Sequence, residues 1–233
     1  MKLSKFIIPL ACLTLVACSD DDDPPANVVD PTPTPTEAMI KITATNLTHA
    51  QPLSPIGVAL HKEGQFWQLG EAASDALEVL AEGGDNSGLL GLDVVQTKAS
   101  TDSPLAPGAK AELMLSQDSL ADQKLSVITM MVNTNDGFTG LNALDVSSMS
   151  VGEEMRFVTY AYDAGTEANT EASGTIPGPA DGGEGFNAER EAINKVAMHP
   201  GVVGQDDGLS GSVLTSEHKF DNPLMAITIT RMK

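Results

Sequence analysis

Several things are scarce in this chain, and each shortage closes off a class of protein. Its two cysteines are Cys12 and Cys18, so everything beyond residue 18 lacks both a disulfide and a thiol nucleophile. Cations are few: 13 Lys and Arg stand against 32 Asp and Glu, a formal charge of −19. So acidic a chain repels the phosphates of nucleic acid and of anionic lipid head groups, which leaves divalent cations as its natural electrostatic partners and no nucleic-acid partner. No apolar run is long enough to cross a bilayer. There is no Gly-x-Ser-x-Gly elbow, no phosphate-cradling glycine loop closed by Lys-Ser or Lys-Thr, and no His-x-x-x-His pair. With no catalytic signature, the expectation is a protein that is not an enzyme.

What is present begins with a leader. Lys2 and Lys5 precede the apolar run Phe6-Ile-Ile-Pro-Leu-Ala-Cys-Leu-Thr-Leu-Val-Ala17, the charged-then-apolar order of a secretory signal. The run ends in Leu15-Val-Ala-Cys18, which resembles a bacterial lipoprotein box: small residues fit the signal peptidase, and the Cys18 thiol takes a thioether-linked diacylglycerol. Residues 1–17 are therefore expected to be a lipoprotein signal peptide. Cys18 becomes the lipidated first residue, and its acyl chains hold the protein to a membrane at about 0.8 kcal/mol per buried methylene. Loss of Lys2 and Lys5 with the leader takes the charge from −19 to −21. Ser19, where Asp is absent, favours outer-membrane sorting. The acidic run Asp20-Asp-Asp-Asp23 resembles a lipoprotein surface-export signal, with a plain solvated spacer as the alternative. Pro31-Thr-Pro-Thr-Pro35 favours extended polyproline backbone, so residues 18–38 read as a semi-rigid tether of roughly 3 Å per residue. The expected location is the bacterial cell envelope, on its periplasmic or its outer face.

Residues 39–233 suffice for one domain with a real core. Strands are expected at Met39-Ile-Lys-Ile-Thr-Ala-Thr45, Ile56-Gly-Val-Ala-Leu-His61, Ala111-Glu-Leu-Met-Leu115 and Met225-Ala-Ile-Thr-Ile-Thr-Arg231. Residues 71–82 read as the one helix, with Ala73, Leu77 and Leu80 on one face and Gly83-Gly84 to stop it. Trp67 reads as a core anchor, residues 89–98 as a loop or weak strand, and Leu141-Asn-Ala-Leu144 as a helical turn. Residues 168–188 form a long Gly-, Pro- and acid-rich excursion. Short strands separated by turns, with little helical periodicity and no internal repeat, predict an all-β fold: an antiparallel β-sandwich with one short helix and long loops.

Two strand-like runs organise the whole. Lys124-Leu-Ser-Val-Ile-Thr-Met-Met-Val132 empties into Asn133-Thr-Asn-Asp-Gly137, and Met155-Arg-Phe-Val-Thr-Tyr-Ala161 empties into Tyr162-Asp-Ala-Gly-Thr-Glu167. If both loops lie at one end of the sandwich, Asp136, Asp163 and Glu167 can converge as oxygen ligands of a hard cation, Ca2+. The alternative is that these acids are simply solvated. His61, His199 and His218 are far apart in sequence and read as loop-fixing hydrogen-bonding groups; a three-histidine zinc site is the weighed alternative.

Asp163-Ala-Gly-Thr-Glu167, Met130-Met-Val-Asn-Thr-Asn-Asp-Gly-Phe-Thr-Gly140 and Phe66-Trp-Gln-Leu-Gly-Glu-Ala-Ala-Ser74 resemble the spondin amino-terminal domain family, in an order that matches over the domain from Met39 onward. The resemblance implies a C2-like β-sandwich with calcium at Asp136, Asp163 and Glu167, where Glu167 stands in place of the family's frequent Asp. The chain departs from the family by lacking the cysteines of animal members and by its acidic insertion after Glu167. It implies a calcium-binding adhesion or binding module whose partner is an envelope or extracellular protein or glycan. The runner-up is an envelope polymer-processing hydrolase that uses carboxylates or a His-bound metal.

Overall fold

A computed structural model describes residues 37–190 and 192–233. The leader, Cys18 and the tether up to residue 36 lie outside the described residues. Among the described residues, ten strands in two antiparallel sheets, with few helical residues, make the all-β sandwich that the strand pattern predicts.

In chain order the elements are β1 (Ala38–Asn46), β2 (Gly57–His61), α1 (Asp75–Gly83), α2 (Ser87–Leu90), β3 (Val95–Ser100), β4 (Lys110–Gln117), β5 (Lys124–Met130), β6 (Gly137–Asp145), β7 (Glu154–Thr159), β8 (Tyr162–Asp163), β9 (Ala197–Met198) and β10 (Met225–Arg231). The four-stranded sheet runs β4-β1-β10-β7 and the six-stranded sheet β3-β2-β5-β6-β8-β9.

The two sheets bury themselves differently, and sequence says why. β1 alternates strictly: Ile40, Ile42 and Ala44 are buried while Lys41, Thr43 and Thr45 are half-buried on the opposite face. Its register sets Leu113, Ile42, Ile229 and Met155 in one row across all four strands. β2 and β5 are buried almost throughout. Their Val58, Leu60, Leu125 and Val127 face the first sheet, whereas Ala59 and Ile128 pack beneath Leu77 and Leu80 of α1. A strand covered on both faces has no solvent side, so Ser126 and Thr129 of β5 are buried as completely as its Leu125 and Val127.

Ser74 caps α1, its side chain accepting from Leu77 N at 3.2 Å, and Gly84 ends it in the left-handed conformation. The helix is thus shorter at its start than the apolar spacing predicts. Trp67 is 7% exposed and packs edge-on against Phe138 at 5.3 Å, a core anchor as expected. Residues 89–98 contain the end of α2 and the start of β3.

The helical turn expected at residues 141–144 is not there: these residues continue β6, with Leu141 opposite Val127 and Leu144 opposite Leu125. A bulge inserts an extra residue, setting Ala143 at φ 55° with its N–H donating to Ser126 Oγ at 2.9 Å. That extra residue converts strand alternation into the spacing of three that reads as helical. The excursion at 168–188 has no helix or multi-residue strand. It is pinned by a small core of its own, Ile176 with Val202 and Leu214.

Candidate metal centre

The loop between β5 and β6 is buried, so its polar groups need internal partners. Thr134 Oγ1 donates to Met131 O (2.6 Å) and accepts from Gly137 N (2.9 Å), closing the turn. Asn133 Nδ2 donates to Ala50 O at 3.0 Å. Asn135 Nδ2 donates to Thr175 Oγ1 at 3.0 Å, reaching the excursion. Asp136 is left at the mouth of β6, entirely hidden from solvent.

The second loop is shaped to meet it. Gly137 pairs with Asp163 across β6 and β8, and Asp163 Oδ1 accepts from Gly165 N at 2.8 Å. Gly165 has φ 71°, and a Cβ there would overlap the Lys195 backbone, so only glycine makes this turn. Beyond it the chain aims successive N–H groups at one oxygen: Asp136 Oδ2 accepts from Thr166 N (2.8 Å) and Glu167 N (3.1 Å), with the Thr166 hydroxyl at 3.3 Å. The two loops expected to converge are therefore joined through Asp136.

Electrostatically the joint is incomplete. Asp136 Oδ1 is buried and has no hydrogen-bond partner among the described residues. Burial and then the neighbouring Asp163 charge push the Asp136 carboxyl up to about 7, against the backbone donors that favour its anion. Glu167 is half-buried and is also pushed up to about 7, by burial first and then by Glu82, with Asp136 and Glu184 adding to it. Among the described residues none of Asp136, Asp163 or Glu167 takes part in an ion pair.

Sequence reasoning missed Glu82 and Glu171. Glu82 is 0% exposed, with Oε2 accepting from Asn187 N at 2.9 Å and Oε1 unpartnered. One signal was available: a carboxylate in the last turn of a helix with no basic residue there opposes the helix dipole. Glu171 is buried at φ 47°, with Oε1 accepting from Val203 N at 3.2 Å and Oε2 unpartnered. Nothing in its local sequence marks it, because the burial comes from the distant 201–214 segment.

The histidines fix loops by hydrogen bonds, as their spacing predicts. His61 bridges Glu63 O and Ser126 Oγ, both at 2.8 Å; His199 Nδ1 accepts from Gly201 N, and His218 Nδ1 from Thr215 N. Burial pushes His199 down to about 4, with Asp163 acting the other way. A cavity of about 540 Å³ opens against Asp163 and Glu167, walled by Ile193, Met198 and Pro200. Another of about 440 Å³, between Trp67 and Tyr160, carries no carboxylate.

The donor set suits a hard cation, since the buried unpartnered oxygen and the unpaired acids beside it supply oxygen and charge. Among the described residues no three His, Cys, Asp or Glu side chains stand close enough together to hold an ion unaided. An ion here would thus draw part of its shell from backbone, amide or hydroxyl oxygens. The chain matches no protein-family model and no curated protein.

Proposed function

We propose that this protein is a calcium-binding β-sandwich, lipid-anchored through Cys18 in the bacterial cell envelope, that acts there as a binding or adhesion module. The ion's ligands are drawn from Asp136, Asp163 and Glu167, with backbone, amide or hydroxyl oxygens completing the shell. The observation that carries the reading is the Asp136 carboxylate: one oxygen collects the N–H groups of the 163–167 turn, and the other is buried without a partner. Leaving such an oxygen unsatisfied costs on the order of 1–3 kcal/mol or more. Two of the three spondin-like motifs, at 130–140 and 163–167, fall on these same loops and support the same reading.

A bound calcium ion supplies the positive charge that the described residues around the site lack. Asp136 then stays ionised and keeps both turns clamped, while Glu167 and Asp163 present one wall of the cavity lined by Ile193, Met198 and Pro200. A protein or glycan partner would meet that mixed acidic and apolar wall. The test is calcium-dependent adhesion of cells or beads displaying the full chain to envelope and matrix polymers, with Asp163→Ala beside the wild type. Adhesion lost both on chelation and in the variant supports the module. Hydrolysis of glycan or ester substrates by the wild type, lost in Asp163→Ala, would replace it with the hydrolase reading.

A further inference from the structure

We infer that the cavity of about 440 Å³ between Trp67 and Tyr160 is a binding site for a neutral oligosaccharide, with the Tyr160 ring as the surface on which a sugar unit stacks. The inference goes beyond the calcium reading, because none of Asp136, Asp163 and Glu167 lines this cavity.

The argument starts from where the scarce amphipathic rings go. The chain has one tryptophan and two tyrosines, and all three, Trp67, Tyr160 and Tyr162, line this one cavity. Core packing accounts for two of them. Trp67 stands edge-on to Phe138 at 5.3 Å and lies 5.4 Å from Tyr162, which itself stacks on Phe138 at 5.4 Å. It does not account for Tyr160, which is 48% exposed just beyond β7 and joins no aromatic pair among the described residues. Its backbone is nevertheless held, the carbonyl accepting from Thr139 Oγ1 at 2.9 Å. An exposed ring thus stands on a fixed edge.

The polar part of the lining is built of amides. Asn142 lies in the bulged stretch of β6, and both ends of its side chain are used: Oδ1 accepts from Phe66 N at 2.9 Å and Nδ2 donates to Trp67 O at 2.6 Å. That clamp fixes the loop from which the exposed Gln65 and Gln68 border the cavity. A primary amide offers donors and an acceptor in one plane, which matches a sugar hydroxyl that both donates and accepts, while the C–H face of a pyranose packs on an aromatic ring.

Charge decides the ligand class. No charged side chain lines the cavity, although 19% of the chain is charged. A phosphate, a carboxylate or a cation would be desolvated there without a counter-charge, whereas a neutral polyol loses only hydrogen bonds that the amides return. The volume lies within the range of about 300–1,000 Å³ usual for small-ligand sites. An adjoining cavity of about 590 Å³ shares Gln65, Trp67 and Gln68, and its Glu71 and Lys124 add one charge of each sign, so there is room for more than one sugar unit. A proline-rich peptide also packs on aromatic rings, but its prolines have no N–H to give, which leaves the amide oxygens unmatched.

Trp67, as the only tryptophan, makes the cavity its own reporter. The experiment titrates the intrinsic fluorescence of the full chain with neutral oligosaccharides of glucose, xylose, mannose and N-acetylglucosamine, with an oligogalacturonate and with a proline-rich peptide, in calcium and in chelator. Wild type is compared with Tyr160→Ala, Tyr160→Phe and Asp136→Asn. The expected result is a saturable change with at least one neutral oligosaccharide, equal in calcium and in chelator and kept by Asp136→Asn. Its Kd should weaken roughly tenfold or more in Tyr160→Ala and less than about threefold in Tyr160→Phe, which keeps the ring. Silence with every neutral oligosaccharide, binding of the oligogalacturonate as tight as theirs, or a response to the peptide alone overturns the inference. So does a Tyr160→Ala protein that binds like wild type. Sugar binding that disappears in chelator and in Asp136→Asn moves the ligand to the cation centre and overturns it as well. A wild type that binds sugar but no calcium keeps this inference and removes the calcium reading; one that binds calcium but no sugar does the reverse. Should Tyr160→Ala not fold, Tyr160→Leu, which keeps apolar bulk without a ring, takes its place with the same expected loss.

Discussion

Ile42 on β1 and Asp136 at the mouth of β6 are both fully screened from water, and for opposite reasons. Ile42 lies in a row of apolar side chains that crosses four strands, and each such burial contributes about 1.5–3 kcal/mol. Around Asp136 the buried polar residues include Asn133, Thr134, Asn135, Asp163 and Thr166. Their amides and hydroxyls are largely satisfied internally, but carboxylate oxygens are left over. The interior between the sheets is complete with the atoms it has, whereas the loop end is complete only with a positive charge or with protons. A fold that keeps such an end has been built around something other than its own stability.

The comparison can be broken most forcefully from the apolar side. Ile42→Ala should destabilise the domain by about 2–5 kcal/mol, equally with calcium and with chelator, in denaturant unfolding. A loss that depended on calcium would mean that the two regions are not separable.

Next in size is pH. Asp136 is pushed up to about 7 in the folded state from an ordinary carboxylate value near 4, so the fold binds this proton more tightly than the unfolded chain does. The stabilisation it brings is present at acid pH and is lost as pH rises from about 4 through about 7, a fall on the order of 4 kcal/mol in chelator. On the calcium reading proposed above, the ion competes with the same proton, so its affinity should rise over that window and the fall in stability should shrink when it is present. Unfolding midpoints at several pH values, with calcium and with chelator, check both signs.

Asp136→Asn sharpens the contrast. The amide oxygen can still accept from Thr166 N and Glu167 N, but the buried charge is gone. Above pH 7 in chelator the variant should be more stable than wild type by about 1–3 kcal/mol, and calcium should no longer shift its melting. The smallest effect is expected at Ser74, which caps the helix that carries Glu82: Ser74→Ala should cost about 1 kcal/mol in either condition.

The β1 and β10 strands were legible because their alternation is undisturbed by function, and Met225–Arg231 falls where the pattern puts it. The β6 bulge was not, because an extra residue mimics helical spacing. Of the site, Asp136, Asp163 and Glu167 could be picked out, since short polar loops following strands advertise themselves, and the hydrogen bonds from Thr166 and Glu167 to Asp136 bring those loops together. Glu82 and Glu171 stayed hidden because their burial is tertiary. Each is covered by chain more than 30 residues away, Asn187 in one case and Val203 in the other.

The most direct measurement is calorimetric calcium titration of the full chain above pH 7, wild type beside Asp136→Asn, with melting followed in calcium and in chelator. The account predicts saturable binding by wild type that Asp136→Asn lacks, and a melting temperature that falls on chelation in wild type alone. A wild type that binds no calcium and melts identically in both conditions would contradict it, leaving protons to neutralise the loop end.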